Sequence, residues 1–481
     1  MPSNNQLDLS PEEMRRLGYQ AIDEIIAHFE QLRAKPAIRV GTRAELEARL
    51  REPAPETPTE IDALLAQLQR DVWPFIGNLN HPRFFAFIPT PVNFVSVLAD
   101  VLVSGYNPFV GSWLGGSAAA QVELVAVDWL RALCGLPETA GGLFVSGGSA
   151  ANLNALAVAR HVKLNDRFAD AVVYCSDQTH SAVERALRVL GFAREQLCKL
   201  PSDEAFRLPL AALQSAVAAD RANGKRPFCV IANAGTTNTG AIDPLPELVE
   251  FCRAQDLWLH VDGAYGAAAA LCERGQTLLQ GLGEVDSLAL DPHKWLFQTY
   301  EIGCVLVRDV RWLKQTFHVL PEYLEDTQLN MAEVNFYERG YQLTRSFRAL
   351  KIWLSFKAFG VAAFRAAVAH GLELAEFAER ELRADACWQV VSPATLGIVA
   401  FRFAPAGVTG SALDELNQQL VTAVREDGFA FASSTVLRGQ TVLRLCTINP
   451  RTTEDDIRAT LARWKTLGLQ LLKEGNQRCQ T

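Results

Sequence analysis

A lysine and an aspartate, Lys294 and Asp262, each follow a short apolar run that predicts a buried β-strand. In open α/β sheets, ligands bind outside the carboxyl ends of the strands, so both side chains are placed to meet one. A lysine whose pKa is lowered by burial can form a Schiff base, and a carboxylate can keep a pyridine nitrogen protonated. Each residue alone also has a plainer interpretation, because most loop lysines are solvated and such an aspartate often caps the next helix.

The segment 146–152, with the sequence SGGSAAN, lies between an apolar run and a helical run. Glycines let the backbone approach an anion closely, and the N-terminus of the following helix presents free N–H groups. Ser149 adds a hydroxyl donor, so the segment predicts a phosphate site, although a plain glycine turn before a helix looks the same. The spacing matches neither GxGxxG nor the P-loop, which disfavours a dinucleotide or ATP.

Three further polar residues follow predicted strands. His293 stands beside the lysine and can reach a phosphate oxygen. His180 can lie against a planar cofactor, and Thr237, in the segment 235–237, can contact the ring or the substrate, but either residue can equally belong to a helix cap. Independent turns and caps seldom converge on the ends of neighbouring strands. The five motifs together therefore predict a site for pyridoxal 5'-phosphate (PLP).

The elements that must position these motifs alternate between short β-rich runs and helical stretches from about residue 90. Continuous apolar strands between helices predict a mainly parallel sheet covered on both faces. Beyond about residue 365, a long helix, two strands and a final helix from Glu454 predict a smaller α+β domain. The predicted strands are 171–176, 228–234, 258–262, 287–291, 303–308, 396–403 and 441–446; the predicted helix 347–359 closes the large domain, and the long helix 370–382 belongs to the small one.

The N-terminal residues predict two amphipathic helices. Ser10 and Glu13 form a capping-box pattern at the start of the first helix, and the second follows around 61–68. Little chain surrounds these helices, so their apolar faces predict a partner subunit.

The composition is that of an ordinary globular chain of 481 residues, 49% hydrophobic and 21% charged, with a net charge of −8. The acidic balance argues against nucleic acid or an anionic membrane as a partner. The ten cysteines include no CxxC pair and fit reduced core thiols. The N-terminus does not resemble a signal peptide, and the apolar stretch 264–271 is too short to span a bilayer. These features predict a cytoplasmic protein with a small-molecule substrate and no metal site.

Over nearly its whole length, the sequence resembles the group II PLP-dependent amino-acid decarboxylases of the aromatic-L-amino-acid decarboxylase type. The resemblance rests on the motifs above together with HPRFFAF at 81–87 and RSFRALK at 345–351. It implies the α/β fold of PLP-dependent transferases (type I aminotransferase-like), with an N-terminal helical segment (1–90), a large PLP-binding domain (91–365) and a small C-terminal domain (366–481). It also implies an obligate homodimer with the active site at the interface.

The resemblance assigns roles to the motif residues. It implies that Lys294 forms the Schiff base with PLP and that Asp262 pairs with the pyridinium nitrogen. It places Ala264 and His180 on opposite faces of the ring. The other implied contacts are Gly148, Ser149 and His293 at the phosphate, with Thr90 and Thr237 near the cofactor and the substrate.

Three positions depart from the family pattern. Gly263 follows the aspartate where the family often has alanine. Asp291 stands where the animal enzymes carry asparagine near the phosphate, and since a carboxylate beside a phosphate is unfavourable, we expect it to turn away or to pair with a cation. Gly111 replaces a bulky aromatic residue of the animal substrate pocket, and Phe109 is expected to refill that space.

The implied reaction is the loss of the substrate carboxyl group as CO2, followed by protonation of the remaining carbon. The family takes this proton from a tyrosine on a mobile loop, and the segment 329–340 matches that loop. Alignment back from Arg345 needs a one-residue gap and places Tyr337 at the donor position, with Phe336 beside it. Phenylalanine at this position resembles the switch by which related plant enzymes deaminate oxidatively and release an aldehyde.

An aromatic amino acid (tryptophan, tyrosine, phenylalanine or a DOPA-like compound) is the preferred substrate class. The aromatic residues that suggest it, and that can equally be core, are Phe84, Phe85, Phe87, Tyr106, Phe109 and Trp113. An acidic substrate would need a buried cation, for which Arg83 is the nearby candidate. The alternatives are an aromatic aldehyde synthase, an acidic-amino-acid decarboxylase, and an aminotransferase that binds the substrate carboxylate through Arg444.

Overall fold

The computed structural model describes residues 7–319 and 333–478, and within them the chain forms two sheets flanked by helices. The helices are α1 (Pro11–Glu30), α2 (Arg43–Leu50), α3 (Ile61–Asp71), α4 (Phe94–Tyr106), α5 (Trp113–Leu133), α6 (Gly148–Leu164), α7 (Ser181–Val189), α8 (Leu210–Ala222), α9 (Leu245–Ala254), α10 (Glu273–Leu278), α11 (Arg311–Phe317), α12 (Ala349–Ala384), α13 (Gly410–Asp427) and α14 (Glu454–Arg478). The strands are β1 (Gly141–Val145), β2 (Ala171–Ser176), β3 (Leu197–Leu200), β4 (Arg226–Asn233), β5 (Trp258–Asp262), β6 (Ser287–Leu290), β7 (Gly303–Val307), β8 (Trp388–Thr395), β9 (Ile398–Phe403), β10 (Ser433–Leu437) and β11 (Gln440–Cys446).

The large sheet has the strand order β1-β7-β6-β5-β4-β2-β3. Strand β7 runs antiparallel to both of its neighbours, and the other pairs are parallel. The predicted mainly parallel sheet is therefore confirmed. All residues of β2 and β5 are buried, because helices cover both faces of the sheet.

Two apolar clusters lie on the two faces of this sheet. One joins Val261 and Leu288 to helix α12, and the other joins Ile231 and Ala289 to helix α6. Side chains of successive strand residues point to opposite faces, so each strand contributes to both clusters. The strands are thereby held rigidly, and the loops at their ends are fixed in place.

The small domain is built on an antiparallel sheet of order β10-β11-β9-β8, with α13 and α14 against one face. The two helices predicted at 347–359 and 370–382 both lie within α12, whose two helical parts meet at a kink where the backbone of Gly360 is not helical (φ 75°). The predicted end of the first helix at 359 is confirmed, whereas the second helical part begins directly after Gly360 rather than at 370, because the intervening residues are mostly alanine and other helix formers. The predicted domain boundary at 365 falls inside this helix.

Among the described residues, one helix, α12, is long and apolar enough to cross a membrane, judged by length and composition alone. Ile352, Phe356 and Leu372 on this helix lie in the core of the large domain. Part of its apolar surface is thus packed inside the protein.

Helix α1 begins as predicted, since the Glu13 backbone N–H donates to Ser10 Oγ at 3.2 Å. The Glu13 side chain pairs with Arg16 rather than completing the capping box. In the described part of the chain no residue of α1 is buried, and Tyr19 on its surface is 70% exposed. Helix α2, which the sequence pattern did not predict, separates α1 from α3.

Residues 83–85 join the N-terminal segment to the small domain. The Phe85 backbone N–H donates to Phe431 O at 2.7 Å, and the Phe431 N–H donates to Arg83 O at 3.0 Å. Phe85 is fully buried in the core of the small domain. This end of the N-terminal segment therefore packs as part of that domain.

Candidate active site

One cavity of about 360 Å³ opens at the carboxyl ends of the parallel strands of the large sheet. Parallel strands end at the same edge, which is why motifs far apart in sequence meet here. The predicted residues that line it are Gly148, Ser149, His180, Thr237, Asp262, Ala264, His293 and Lys294. Four other predicted residues, Phe87, Thr90, Phe109 and Tyr337, do not belong to the wall that the described residues form.

Lys294 pairs with Asp291, the carboxylate that stands where the animal enzymes carry asparagine. Its Nζ lies 2.9 Å from Asp291 Oδ2, and Asp291 is only 2% exposed. Burial acts to lower the pKa of Lys294, but the charge and hydrogen bond of Asp291 outweigh it, so the pKa is raised. Burial thus acts in the expected direction, but the expected lowered pKa is wrong for the cofactor-free protein because Asp291 outweighs it, and the expectation that Asp291 pairs with a cation is confirmed.

The Asp291–Lys294 pair should slow the reaction of Lys294 with PLP. We expect Asp291→Asn to speed the covalent capture of PLP by Lys294 near pH 7, because burial, the largest influence on the lysine, is then opposed only by the weaker effects of Asp262 and Tyr300, and the pKa falls. Each unit by which the pKa falls should raise the neutral fraction, and hence the rate, about tenfold. Stopped-flow absorbance on cofactor-free protein from about pH 6 to about pH 10 measures this, and the two rates should converge at the alkaline end. Superimposable pH–rate curves would contradict the assignment.

The start of helix α6 forms a cradle of backbone N–H groups. Gly147 is its N-cap and Gly148 its first residue. A Cβ on Gly148 would lie 2.8 Å from Asp291 Oδ2 and 2.9 Å from the Ala264 Cβ, so only glycine fits this contact. The helix N-terminus and the Ser149 hydroxyl suit a phosphate group.

His293 closes one side of the cradle. Its Nδ1 accepts the Ile302 N–H at 3.3 Å, and its Nε2 lies 3.6 Å from Asp291 Oδ2. Burial lowers the pKa of His293 although the Asp291 charge acts in the opposite direction. Its Nε2 therefore faces the polar end of the cavity, where a phosphate oxygen would accept a hydrogen bond.

Asp262, at the end of β5, is held by two N–H donors. Asn152 Nδ2 donates to Oδ2 at 3.0 Å, and the Ala264 backbone N–H donates to Oδ1 at 3.2 Å. The residue is 8% exposed and lines the cavity. The carboxylate is thus fixed in orientation while it still reaches the cavity.

His180 caps a helix and lines the cavity at the same time, whereas of the two threonines one closes a turn and the other lines the cavity. His180 Nδ1 accepts the Ala182 N–H at 3.2 Å as the N-cap of α7, and its exposed ring lines the cavity. Thr236 bonds to Thr239 Oγ1 at 2.8 Å and closes a turn, whereas Thr237 is half-buried at the cavity wall. The stacking of His180 on the cofactor stays a prediction.

The aromatic residues near 84–109 are arranged differently from the expectation. Phe84 and Phe85 are buried in the core, so their prediction as substrate walls is wrong. Phe87 is 59% exposed. The Phe109 ring does refill the space at Gly111, where a Cβ would come within 2.2 Å of Phe109 Cζ.

Thr90 and Tyr337 are both buried away from the cavity wall. Thr90 Oγ1 donates to the Tyr300 hydroxyl at 3.0 Å. Tyr337 is 4% exposed in a short 3₁₀ helix, Phe336–Glu338, and its backbone N–H donates to Gly111 O at 2.9 Å. Residues 329–332 of the predicted loop lie outside the described residues, and the donor role of Tyr337 stays a prediction.

Several wall residues had no predicted role. Asn152 lies four residues after Gly148, one helical turn further, which places it under the cavity beside Asp262. Tyr265 stacks on Trp295 at 5.3 Å, and its hydroxyl accepts the Gly397 N–H at 2.8 Å, which ties the wall to the small domain. The position of Asn152 could have been predicted from its helical spacing to Gly148. The contact of Tyr265 with Gly397 could not, because the two residues are far apart in sequence.

Comparison with known proteins agrees with this geometry. Residues 44–404 match the family described as "Pyridoxal-dependent decarboxylase conserved domain". The chain is 50% identical over 466 residues to the aromatic-L-amino-acid decarboxylase of Bacillus atrophaeus, covering 96% of this chain and 97% of that protein. It is 30% identical to the phenylacetaldehyde synthase of Petunia hybrida, over 92% of each. The crystal structure of Oryza sativa TDC with PLP and tryptamine superposes with a TM-score of 0.91 at 27% identity, covering 97% of this chain and 100% of that chain.

Proposed function

The chain belongs to the family of pyridoxal-dependent decarboxylases, and from this premise we propose that it converts an aromatic L-amino acid to its amine and CO2. It is a PLP-dependent amino-acid decarboxylase, with half of its residues identical to an aromatic-L-amino-acid decarboxylase. The observation that carries the proposal is the meeting of Lys294, Asp262 and the α6 N-terminus around one cavity.

The cavity residues fit PLP group by group. The N–H groups at Gly147 and Gly148 suit the phosphate, Lys294 suits the aldehyde, and Asp262 suits the pyridine nitrogen. Asp291 Oδ1, which has no hydrogen-bond partner within 7–319 and 333–478, leaves an acceptor at the cradle that a protonated phosphate oxygen or a water can satisfy. When bound, PLP supplies an electron sink for the electron pair that departing CO2 leaves behind.

Four side chains of the protein then have distinct roles. Lys294 provides the amine that anchors the cofactor, and Asp291 holds a proton on Lys294 Nζ whenever that amine is free. Asp262 presents a fixed carboxylate to the cavity and so keeps a proton on a facing ring nitrogen. His180 covers the cavity at the end of β2.

The surroundings of two arginines favour this reading over its alternatives. Arg83, the candidate for binding an acidic substrate, donates to Phe429 O at 2.9 Å and pairs with Asp456 at 3.5 Å. Arg444, the candidate for an aminotransferase, donates to Ser433 Oγ at 3.0 Å and is outside the cavity wall that the described residues form. Arg83 is therefore engaged elsewhere, whereas Arg444 is set aside by its position outside the wall, since its Nε and Nη2 have no hydrogen-bond partner among residues 7–319 and 333–478.

We also propose that the active enzyme is a homodimer of this chain. Helix α1 has no buried residue in the described part of the chain, although its sequence is amphipathic. Phe87 and Tyr106, expected to wall the substrate, are more than half exposed in a single copy. A second copy would cover both surfaces, and sedimentation velocity should give twice the chain mass, whereas an active monomer would contradict the proposal.

The substrate proposal is tested with a panel of L-amino acids and PLP-loaded protein. CO2, amine, ammonia and peroxide are measured for tryptophan, tyrosine, phenylalanine, DOPA, glutamate and aspartate. We expect CO2 and amine in equal amounts from one or more aromatic substrates. Ammonia and peroxide in amounts equal to the CO2 would identify an aldehyde synthase, and turnover only with glutamate or aspartate would contradict the aromatic assignment.

The same products identify the proton donor. The segment between α11 and α12 contains three tyrosines, Tyr323, Tyr337 and Tyr341, of which Tyr323 lies outside the described residues. Replacing the donor by phenylalanine should lower amine formation by about 10²- to 10⁴-fold, the usual contribution of a general acid. CO2 release should then be accompanied by ammonia. Amine formation at the normal rate by Tyr337→Phe would remove Tyr337 from this role, and Tyr323→Phe and Tyr341→Phe serve as matched variants.

A further inference from the structure

A line of buried polar side chains runs through the apolar interior and ends at Asp262. Its members are Trp258, Ser287, His260 and Asn152, each no more than 1% exposed. We propose that His260 is a positioning residue that sets the orientation of the Asn152 amide and, through it, of the Asp262 carboxylate. This inference rests on the proposed role of Asp262 at the cofactor.

The directions of the hydrogen bonds in this line follow from its two ends, an indole that can only donate and a carboxylate that can only accept. The Trp258 indole N–H can only donate, and it lies 2.8 Å from Ser287 Oγ. Ser287 Oγ is also 2.8 Å from His260 Nδ1, and the serine hydroxyl can donate to that nitrogen while it accepts from the indole. At the other end an ionised Asp262 can only accept, so Asn152 presents its NH2 group to Asp262 and its Oδ1 to His260, which places the ring hydrogen of a neutral His260 on Nε2.

The second half of the line carries this constraint to the cavity. His260 Nε2 lies 2.7 Å from Asn152 Oδ1, which accepts its hydrogen. With Oδ1 engaged, the amide must turn its NH2 group to Asp262, where Nδ2 donates to Oδ2 at 3.0 Å. A flipped amide would oppose its oxygen to the carboxylate and its NH2 group to the ring N–H, leaving buried polar groups unpaired on both sides.

The charge state of His260 is suited to this role. Burial lowers its pKa to about 4, although the nearby Asp262 charge acts in the opposite direction. A neutral imidazole has one donor and one acceptor, the pair that Ser287 and Asn152 require. The line is therefore fully satisfied over the neutral pH range.

A purely structural role would also satisfy these atoms, so the test must separate the two. His260→Leu removes both hydrogen bonds, and His260→Gln keeps a side-chain donor and acceptor. We expect His260→Leu in the PLP-loaded enzyme to shift the visible absorbance of the cofactor and its pH titration. Turnover should fall by about 10- to 100-fold, the usual loss when an outer hydrogen-bond partner of a site residue is removed. The KM for substrate should change little, and His260→Gln should restore much of the loss.

Asn152→Leu breaks the same line one residue closer to Asp262 and serves if His260→Leu does not fold. The melting temperature of the cofactor-free variants reports the structural contribution alone. A lower melting temperature with unchanged absorbance and turnover in both variants would overturn the proposal.

Asp262→Asn separates failure of this inference from failure of the proposed function. An unimpaired Asp262→Asn enzyme would refute the role of Asp262 itself. An impaired Asp262→Asn enzyme together with unimpaired His260→Leu and Asn152→Leu would refute only the positioning role. If the line acts through Asp262, the double variant His260→Leu/Asp262→Asn should be no slower than Asp262→Asn alone.

Discussion

Lys294→Ala should lower decarboxylation by about 10⁴-fold or more, the scale of loss when an enzyme is deprived of the group that forms its covalent bond. The visible absorbance of the covalently bound cofactor should vanish at the same time, because no other amine lines the cavity in the described part of the chain. CO2 release and the absorbance spectrum measure the two effects. PLP should still associate weakly through the N–H groups at the start of α6.

The matched control is Lys199→Ala. Lys199 lies on β3, the outermost strand of the large sheet, and pairs at the surface with Glu184. Its loss should leave both activity and absorbance unchanged. Substantial turnover by Lys294→Ala, or retention of its visible band, would contradict the assignment of the anchoring lysine.

Asp262→Asn should retain the covalently bound cofactor but lose about 10²- to 10⁴-fold in kcat. This range corresponds to about 3–5 kcal/mol, the usual loss when one member of a buried charge pair is removed. Substrate KM should change much less, because Asp262 is expected to stabilise the charge that develops during reaction rather than the substrate itself. Steady-state kinetics with the best aromatic substrate, together with the absorbance spectrum, measure both quantities.

Asp286→Asn is the control for this variant. Asp286 is a partly buried carboxylate that precedes β6, at the opposite end of the strands from the cavity, and it accepts the Leu259 N–H at 2.8 Å. Its replacement is expected to alter stability without altering turnover by PLP-loaded, folded protein. Equal kinetic losses in the two variants would mean that Asp262 acts through the fold rather than at the cofactor.

The placement of Asp262 and Lys294 was predictable because it depends on regular structure. Strands β2 and β5 have the predicted bounds, and the carboxyl ends of parallel strands necessarily meet at one edge. Functional residues that follow parallel strands can therefore be predicted from the sequence to lie close together. The raised pKa of Lys294 was not predictable in this way, since it depends on how the turn after β6 directs Asp291.

The aromatic residues show where the sequence pattern stops being informative. Phe85 and Phe87 lie two residues apart in an irregular segment, yet the first is in the core and the second is exposed. The difference arises because Phe85 pairs with Phe431, 346 residues away (431 − 85), and no local periodicity encodes that contact. The line from Trp258 to Asp262 was hidden for the same reason, since His260 and Asn152 are 108 residues apart.

The central claim is that Lys294 holds PLP, and chemical trapping tests it most directly. Borohydride reduction of the PLP-loaded protein makes the lysine–cofactor bond permanent, and peptide mapping by mass spectrometry then locates it. We predict a single modified peptide that contains Lys294, at a stoichiometry of one per chain. Modification spread over surface lysines, or confined to another lysine while Lys294 stays unmodified, would contradict the account.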